Sequence, residues 1–169
     1  MNNNNTHINT SLKTQASNQY AGIRSAWVEI DRGQLVNNFN LINADSPSDL
    51  KKLCVVKDQA YGHGAVVVGQ AAVDAGYDYL AVETIDEAIE LRDAEIHLPI
   101  LIFGEVSDAE FGACLAYQIT CCVNDIHKAK RFNELAKTYF GEQQSINVHI
   151  EIDTGMSRWG VHWHEAHPV

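Results

Sequence analysis

The sequence predicts an α/β fold built on a parallel sheet, and three observations carry that prediction. Five short apolar runs suited to buried strands recur along the chain, at residues 53–57, 79–83, 100–104, 119–123 and 146–152. Single stretches of helical spacing separate them, and strands joined by single helices imply right-handed parallel crossovers. No Gly-x-Gly-x-x-Gly segment follows the first strand, which weakens the dinucleotide-binding version of an open doubly wound sheet. The strand spacing suits a (β/α)8 barrel of the TIM type. Eight strands need about 250 residues, so the expectation for these 169 residues is such a barrel truncated after about five strands.

The elements follow in order. Residues 1–25 are rich in Asn, Ser, Thr and Gln with few apolar anchors, which predicts a disordered polar tail; no apolar h-region marks it as a secretory signal. The remainder, 26–169, is expected to be the barrel portion. Ala26-Trp-Val-Glu-Ile30 reads as a strand, and Asp31 is a good N-cap for a helix through Ile42. The turn cluster Asn43–Ser48 ends that helix. An Ala/Val-rich helix over 64–75 stops at Gly76. Thr84-Ile-Asp-Glu87 and Ser107-Asp-Ala-Glu110 are capping boxes that open the next two helices. The last helix starts near Asp125 and carries Ile126, Ala129, Phe132, Leu135, Ala136 and Tyr139 on one face.

Composition narrows the function classes. A net charge of −10 argues against nucleic acid or an anionic membrane as the main partner, and no apolar run approaches membrane-spanning length. Cys54, Cys114, Cys121 and Cys122 lie in or beside apolar segments without CxxC spacing, as buried reduced thiols of a cytoplasmic protein do. Cys121 and Cys122 are adjacent on a strand and so face opposite sides. His149, His162, His164 and His167 cluster near the end of the sequence, but no Cys or carboxylate shares a recognised ligand spacing with them, and no metal is expected.

Chemistry concentrates in Lys57-Asp58-Gln59-Ala60-Tyr61-Gly62-His63-Gly64, directly behind the apolar run Leu53–Val56. A lysine at the end of a buried strand meets surroundings that free its amine as a nucleophile. The glycines after it allow a tight turn. This is the arrangement expected of a Schiff-base lysine in a barrel enzyme. The last strand alternates Ile146, Val148, Ile150 and Ile152 with Asn147, His149, Glu151 and Asp153, so one face is polar. In a barrel that face is the lumen, and in an open sheet it meets water.

Two segments together are specific. Val55-Val-Lys57-Asp-Gln-Ala-Tyr61-Gly-His-Gly64 resembles the cofactor-lysine motif of alanine racemases, and Glu151-Ile-Asp153-Thr-Gly155-Met-Ser-Arg158-Trp-Gly160 resembles the same family's Asp-Thr-Gly-Met…Arg motif. Trp27–Asp31, Leu80–Arg92 and Pro99–Gly104 are also similar to that family, so the likeness runs from residue 26 to about 166. The resemblance implies an amino-acid racemase of fold type III that interconverts L- and D-alanine for peptidoglycan by a two-base mechanism, with pyridoxal 5′-phosphate as cofactor. Lys57 would carry the cofactor and act as one catalytic base. Tyr61 would contact the cofactor phosphate, and Arg158 would hold the substrate side of the site.

Departures from the family pattern are informative. Asp58 and Gln59 stand where Ala and Asn are usual, and Trp159 replaces a leucine. Glu151 falls where many members carry a carbamylated, hence anionic, lysine, and could supply that charge directly. The resemblance also implies parts that this sequence does not place: the main phosphate-binding amides, a C-terminal β domain, and a second base presented across a homodimer interface. On this reading the 169 residues are an N-terminal portion expected to be inactive alone. Alternatives are a non-catalytic pyridoxal-phosphate-binding barrel, a truncated remnant, and a broad-specificity or serine racemase. The Trp27 strand and the Arg158 motif favour the racemase over the carrier.

Overall fold

The computed structural model describes residues 28–141 and 146–164. Two compact units divide the chain at Ile30/Asp31. Of the first, only Val28–Ile30 are described, and they form neither helix nor strand. The remainder of the strand expected at Ala26–Ile30, Trp27 included, lies outside the described residues, as do the tail and His167.

The second unit opens with α1 (Arg32–Asp45), whose first turn is closed by the Asp31 carboxylate accepting from the Gln34 amide at 2.9 Å. It ends three residues later than the turn cluster suggested, because the Ser46 amide donates to the Asn43 carbonyl within the cluster itself. After it come β1 (Leu53–Val55), α2 (Ala65–Asp74), β2 (Tyr79–Val82), α3 (Ile85–Asp93), β3 (Ile100–Ile102), α4 (Asp108–Ala116), β4 (Ile119–Val123), α5 (Ile126–Phe140) and β5 (Val148–Ile150). Both capping boxes form, with Thr84 and Glu87, and Ser107 and Glu110, each bonded reciprocally.

The five strands are all parallel and lie in the order β1-β2-β3-β4-β5. A doubly wound sheet reverses its strand order at a switch point, whereas a barrel keeps sequential order. The order here never reverses, which fits a (β/α)8 barrel through its first five strands.

Side chains alternate across the sheet with the two-residue period of a strand. Leu80, Val82, Ile100, Ile102, Cys121 and Val123 face the helices, where Leu91, Phe111 and Phe132 complete the main core. Each large side chain buried there contributes about 1.5–3 kcal/mol. Ala81, Leu101 and Cys122 face the other side, with Val55 and Tyr79 beside them. Cys121 and Cys122 therefore do point to opposite faces, and all four cysteines are buried free thiols. Burial pushes the Cys54 thiol up to about 11, and burial together with nearby Glu151 does the same for Cys122.

The long strand predicted over 146–152 is divided. After Ile150 the Glu151 amide still donates to the Val123 carbonyl at 2.9 Å, but β6 (Ile152–Asp153) leaves the sheet and pairs with β7 (Val161–His162). The return needs glycine at position 160, where φ is +96° and a Cβ would stand 2.7 Å from the Asp153 nitrogen. Alternation alone could not show this break, because the polar and apolar residues keep their period through it.

Candidate active site

Lys57 stands where the sequence placed it, just past the C-terminal end of β1. Barrel enzymes build their sites at that end of the sheet. Its side chain is about a quarter exposed, and its Nζ donates to Glu83 Oε2 at 2.7 Å. The parallel register pairs Val55 with Ala81, so Lys57 and Glu83 each lie two residues past that pair. Asp58 brings a second carboxylate to within 3.8 Å of Nζ. The hydrogen bond that Lys57 donates to Glu83 raises the lysine pKa; partial burial opposes it, and Glu83, Asp58 and Tyr61 add to the rise by charge. The apolar surroundings expected to lower it are outweighed, because the amine is drawn outward to carboxylates.

The turn that follows is more unusual than a glycine-rich bend. Asp58, Gln59, Ala60 and Tyr61 all have φ between +50° and +57°, making one turn of left-handed helix. Such a conformation costs L-residues about 1–2 kcal/mol each, and persists only where neighbours over-determine it. They do so here. Ala60 is buried and its amide donates to the Val56 carbonyl at 2.9 Å, while the Gly64 amide closes on the Gln59 carbonyl at 2.7 Å. His63 Nδ1 donates to the Ala60 carbonyl at 3.0 Å and so holds the loop. Gly62 and Gly64, at φ +93° and +91°, release the chain into α2.

The two departures from the family motif are tied down by α3. The Asp58 amide donates to Glu87 Oε1 at 2.6 Å, and Gln59 Nε2 donates to Glu90 Oε2 at 2.7 Å. Gln59 Oε1 also accepts from the Ala65 amide at 3.3 Å. Glu87 is shared, since its Oε2 accepts from the amides of Glu83 and Thr84. One helix terminus thus fixes both the turn and the end of β2. Tyr61 is 65 % exposed, so it does not pack in the core and its hydroxyl is open to a ligand.

The second motif is ordered by Asp153 rather than by Arg158. The Asp153 carboxylate is buried and accepts from the amides of Gly155 and Ser157, each at 2.9 Å. Those bonds, Ser157 first, hold it below the usual carboxylate range, with His162 at 3.7 Å assisting. A lowered folded value stabilises the loop above the ordinary value of about 3.9 and is lost as pH falls through the folded one. Exchange protection of the Gly155 and Ser157 amides is therefore expected to persist at about pH 5 and vanish in stronger acid. In Asp153→Asn that acid transition should be absent.

Arg158 is exposed and forms no hydrogen bond or ion pair among the described residues, so it is not an ion pair with Asp153. Glu151 is half-buried near Cys122, on the face of the sheet that carries Ala81 and Leu101. His149 turns to the same side, its ring 6.0 Å from that of Tyr79. The polar face of the last strand is thus the inner face. Glu151 and Arg158 are not paired with each other among the described residues. No group of three His, Cys, Asp or Glu among them is placed to hold a metal ion, and no helix among them is long and apolar enough to cross a membrane. A cavity of about 210 Å³ between Phe111, Cys121 and Ile146 opens at the other end of β4.

Sequence reasoning missed Glu83, Glu87 and Glu90. The signal for Glu83 was available: it stands four residues past the first residue of β2, Tyr79, as Lys57 stands four past the first residue of β1, Leu53. The other two sit at helical spacing behind it and could not be separated from solvated helix charges.

A solvent-reachable amine at the barrel rim, with an open phenol four residues on, fits covalent capture of an aldehyde cofactor. Fold and site together define the lysine-bearing part of a parallel α/β barrel. Residues 30–169 match the family model described as alanine racemase, N-terminal domain. The chain is 40% identical over 144 residues to alanine racemase of Synechocystis sp., covering 83% of this chain and 37% of that protein. Against alanine racemase of Methanococcus maripaludis it is 40% identical over 134 residues, covering 79% and 35%. Among solved structures, alanine racemase of Clostridium difficile 630 superposes with a TM-score of 0.71 at 39% identity, covering 76% of this chain and 33% of that one. The Bacillus anthracis enzyme with bound L-Ala-P gives 0.71 at 34% identity, covering 82% and 35%. The chain belongs to the alanine racemase family, within its N-terminal domain, and spans little more than a third of the length of the relatives it matches.

Proposed function

We propose that this chain forms the cofactor-lysine portion of a pyridoxal-phosphate-dependent amino-acid racemase with alanine as substrate. The observation that carries the reading is Lys57 at the rim of the sheet on a left-handed turn, inside a segment that belongs to this family. Pyridoxal phosphate, when bound, supplies an electron-poor ring that makes the α-proton of an attached amino acid acidic. Lys57 carries the cofactor through Nζ and, once its amine is freed, removes or returns that proton on one face. Tyr61 offers its exposed hydroxyl to the phosphate. Arg158 holds the substrate side, its planar fork suited to fixing an anionic group, and Glu151 places a negative charge on the inner face. Residues 26–169 make up the barrel portion behind a polar tail of 1–25. The complete enzyme works as a homodimer, the second base coming from outside the residues seen here. Four buried free thiols favour a reducing compartment, the cytoplasm.

Alanine is the reading favoured by sequence identity rather than by fold. A histidine racemase from Leuconostoc mesenteroides shares the fold at a TM-score of 0.68 with 23% identity, so architecture alone does not fix the amino acid. The test is borohydride reduction of the purified chain incubated with pyridoxal phosphate, followed by peptide mass analysis. The expected result is one cofactor mass on the peptide containing Lys57 and none in Lys57→Ala. Labelling spread over surface lysines, equal in the variant, overturns the reading.

A further inference from the structure

The amine of Lys57 is held by one group that no part of the proposed chemistry has used. Glu83 enters the site with its backbone fixed from both sides. Its amide donates to Glu87 Oε2 at 2.8 Å and its carbonyl accepts from the Gly104 amide at 3.1 Å. Gly104 presses so closely on that carbonyl that a Cβ there would overlap the oxygen. From this clamped position Glu83 Oε2 reaches Lys57 Nζ at 2.7 Å, at the step where the parallel register sets the two residues opposite each other. The pair is neither deeply buried nor free in solvent, with side chains 26% and 39% exposed.

We propose that Glu83 is a positioning residue for Lys57, seating the amine at the rim as a charge-assisted pair that must open before the lysine can attack an aldehyde. The proposal rests on the cofactor-lysine reading for its purpose, but not for its geometry. While paired, the nitrogen lone pair is occupied by a proton and cannot form a bond to carbon. Opening transfers that proton from Nζ to the Glu83 carboxylate, leaving a neutral amine and a neutral acid. Joining the neutral amine to an aldehyde carbon then breaks the carbon–oxygen double bond and forms a carbon–nitrogen double bond that keeps one nitrogen hydrogen and the positive charge. The other nitrogen hydrogen and the Glu83 proton leave with the oxygen as one water. Glu83 thus delays attack by the idle lysine and supplies the proton that attachment consumes. Asp58 at 3.8 Å and the Tyr61 hydroxyl, both from the lysine's own turn, also favour the ammonium. Removing the Glu83 charge should shift the balance without abolishing it.

The experiment is competitive acetylation of the cofactor-free protein across a pH series, with the Lys57 peptide quantified by mass against other lysine peptides. In Glu83→Gln the midpoint of the Lys57 profile is expected to move to lower pH, with severalfold faster labelling at neutral pH and other lysines unchanged. Glu83→Asp, which keeps the charge but shortens the reach, should fall between. A Lys57 profile in Glu83→Gln identical to that of the parent, with the same thermal unfolding midpoint, overturns the proposal. Should Glu83→Gln unfold, Glu83→Ala serves under the same criterion, since the bonds clamping position 83 are made by its backbone. A second arm follows the rate of pyridoxal phosphate attachment against pH, expected to move the same way. If the parent captures no cofactor, the functional reading fails while the acetylation profile still decides the role of Glu83.

Discussion

Replacing Arg92 with methionine is expected to lower the free energy of unfolding by about 3 kcal/mol, a fall in Tm of roughly 6–12 °C. The guanidinium sits at the end of α3 and spends its donors on four backbone carbonyls. Nη1 reaches Ile96 at 2.7 Å and Leu98 at 2.8 Å, Nε reaches Tyr117 at 3.0 Å, and Nη2 reaches Gln118 at 3.3 Å. One side chain thereby ties the loop entering β3 to the loop entering β4. The bonds to Ile96 and Leu98 are partly buried, and losing a charged donor there leaves acceptors that water reaches poorly. The bonds to Tyr117 and Gln118 are exposed and water replaces them at small cost. Methionine keeps most of the stem packing, so the loss isolates the hydrogen bonds. Arg92→Lys should recover less than half, because a single ammonium cannot span two loops with the geometry of a planar fork. Burial lowers the Arg92 pKa, yet the group stays charged across the usable range. Chemical denaturation of parent and variants measures the effect, and a change under about 1 kcal/mol for Arg92→Met would show the clamp to be ornamental.

What the sequence disclosed and what it concealed divide along a physical line. Capping boxes, N-cap Asp31, strand positions and the alternation of β2 to β4 were legible because each depends on neighbours a few residues away. Lys57 was legible for the same reason, standing behind a strand in a motif with distinctive glycines. The left-handed turn was not. Nothing in Asp58-Gln59-Ala60-Tyr61 favours four successive positive φ values, and the conformation is imposed by Glu87 and Glu90 from another helix. Arg92 was visible only as a residue of the family likeness, since its carbonyl partners belong to loops up to 26 positions away. The division of the last strand was hidden by a pattern that stays regular while the pairing partner changes. Long-range pairing decided each of these, and periodicity carries no information about it. Register is the exception: Lys57 and Glu83 could have been matched by counting from the first residues of two correctly placed strands.

Gly104→Ala is the second large effect, and it joins stability to the site. The added methyl would lie against the Glu83 carbonyl oxygen, a backbone atom held by the sheet and unable to swing aside. Either β3 and β2 separate at their ends or the Gly104–Glu83 hydrogen bond breaks. The expected cost is about 3 kcal/mol, at the upper end for overpacking a tight site. Gly112→Ala is the matched control. Its methyl would approach the Tyr139 hydroxyl at 2.7 Å, but that ring is the exposed end of a flexible side chain. Rotation of Tyr139 should hold the cost under about 1 kcal/mol. The added methyl is the same in both, but Gly112 lies within α4, where alanine also gains about 1 kcal/mol of helix propensity. The rigidity of position 83 is therefore read from the difference less that amount. Displacing Glu83 should also loosen its carboxylate from Lys57, so the Gly104→Ala acetylation profile is expected to move in the direction of Glu83→Gln. Gly112→Ala should leave that profile unchanged. If Gly104→Ala destabilises the fold while the Lys57 profile stays fixed, the clamp on Glu83 serves the sheet alone, and the side chain must find the amine by its own flexibility.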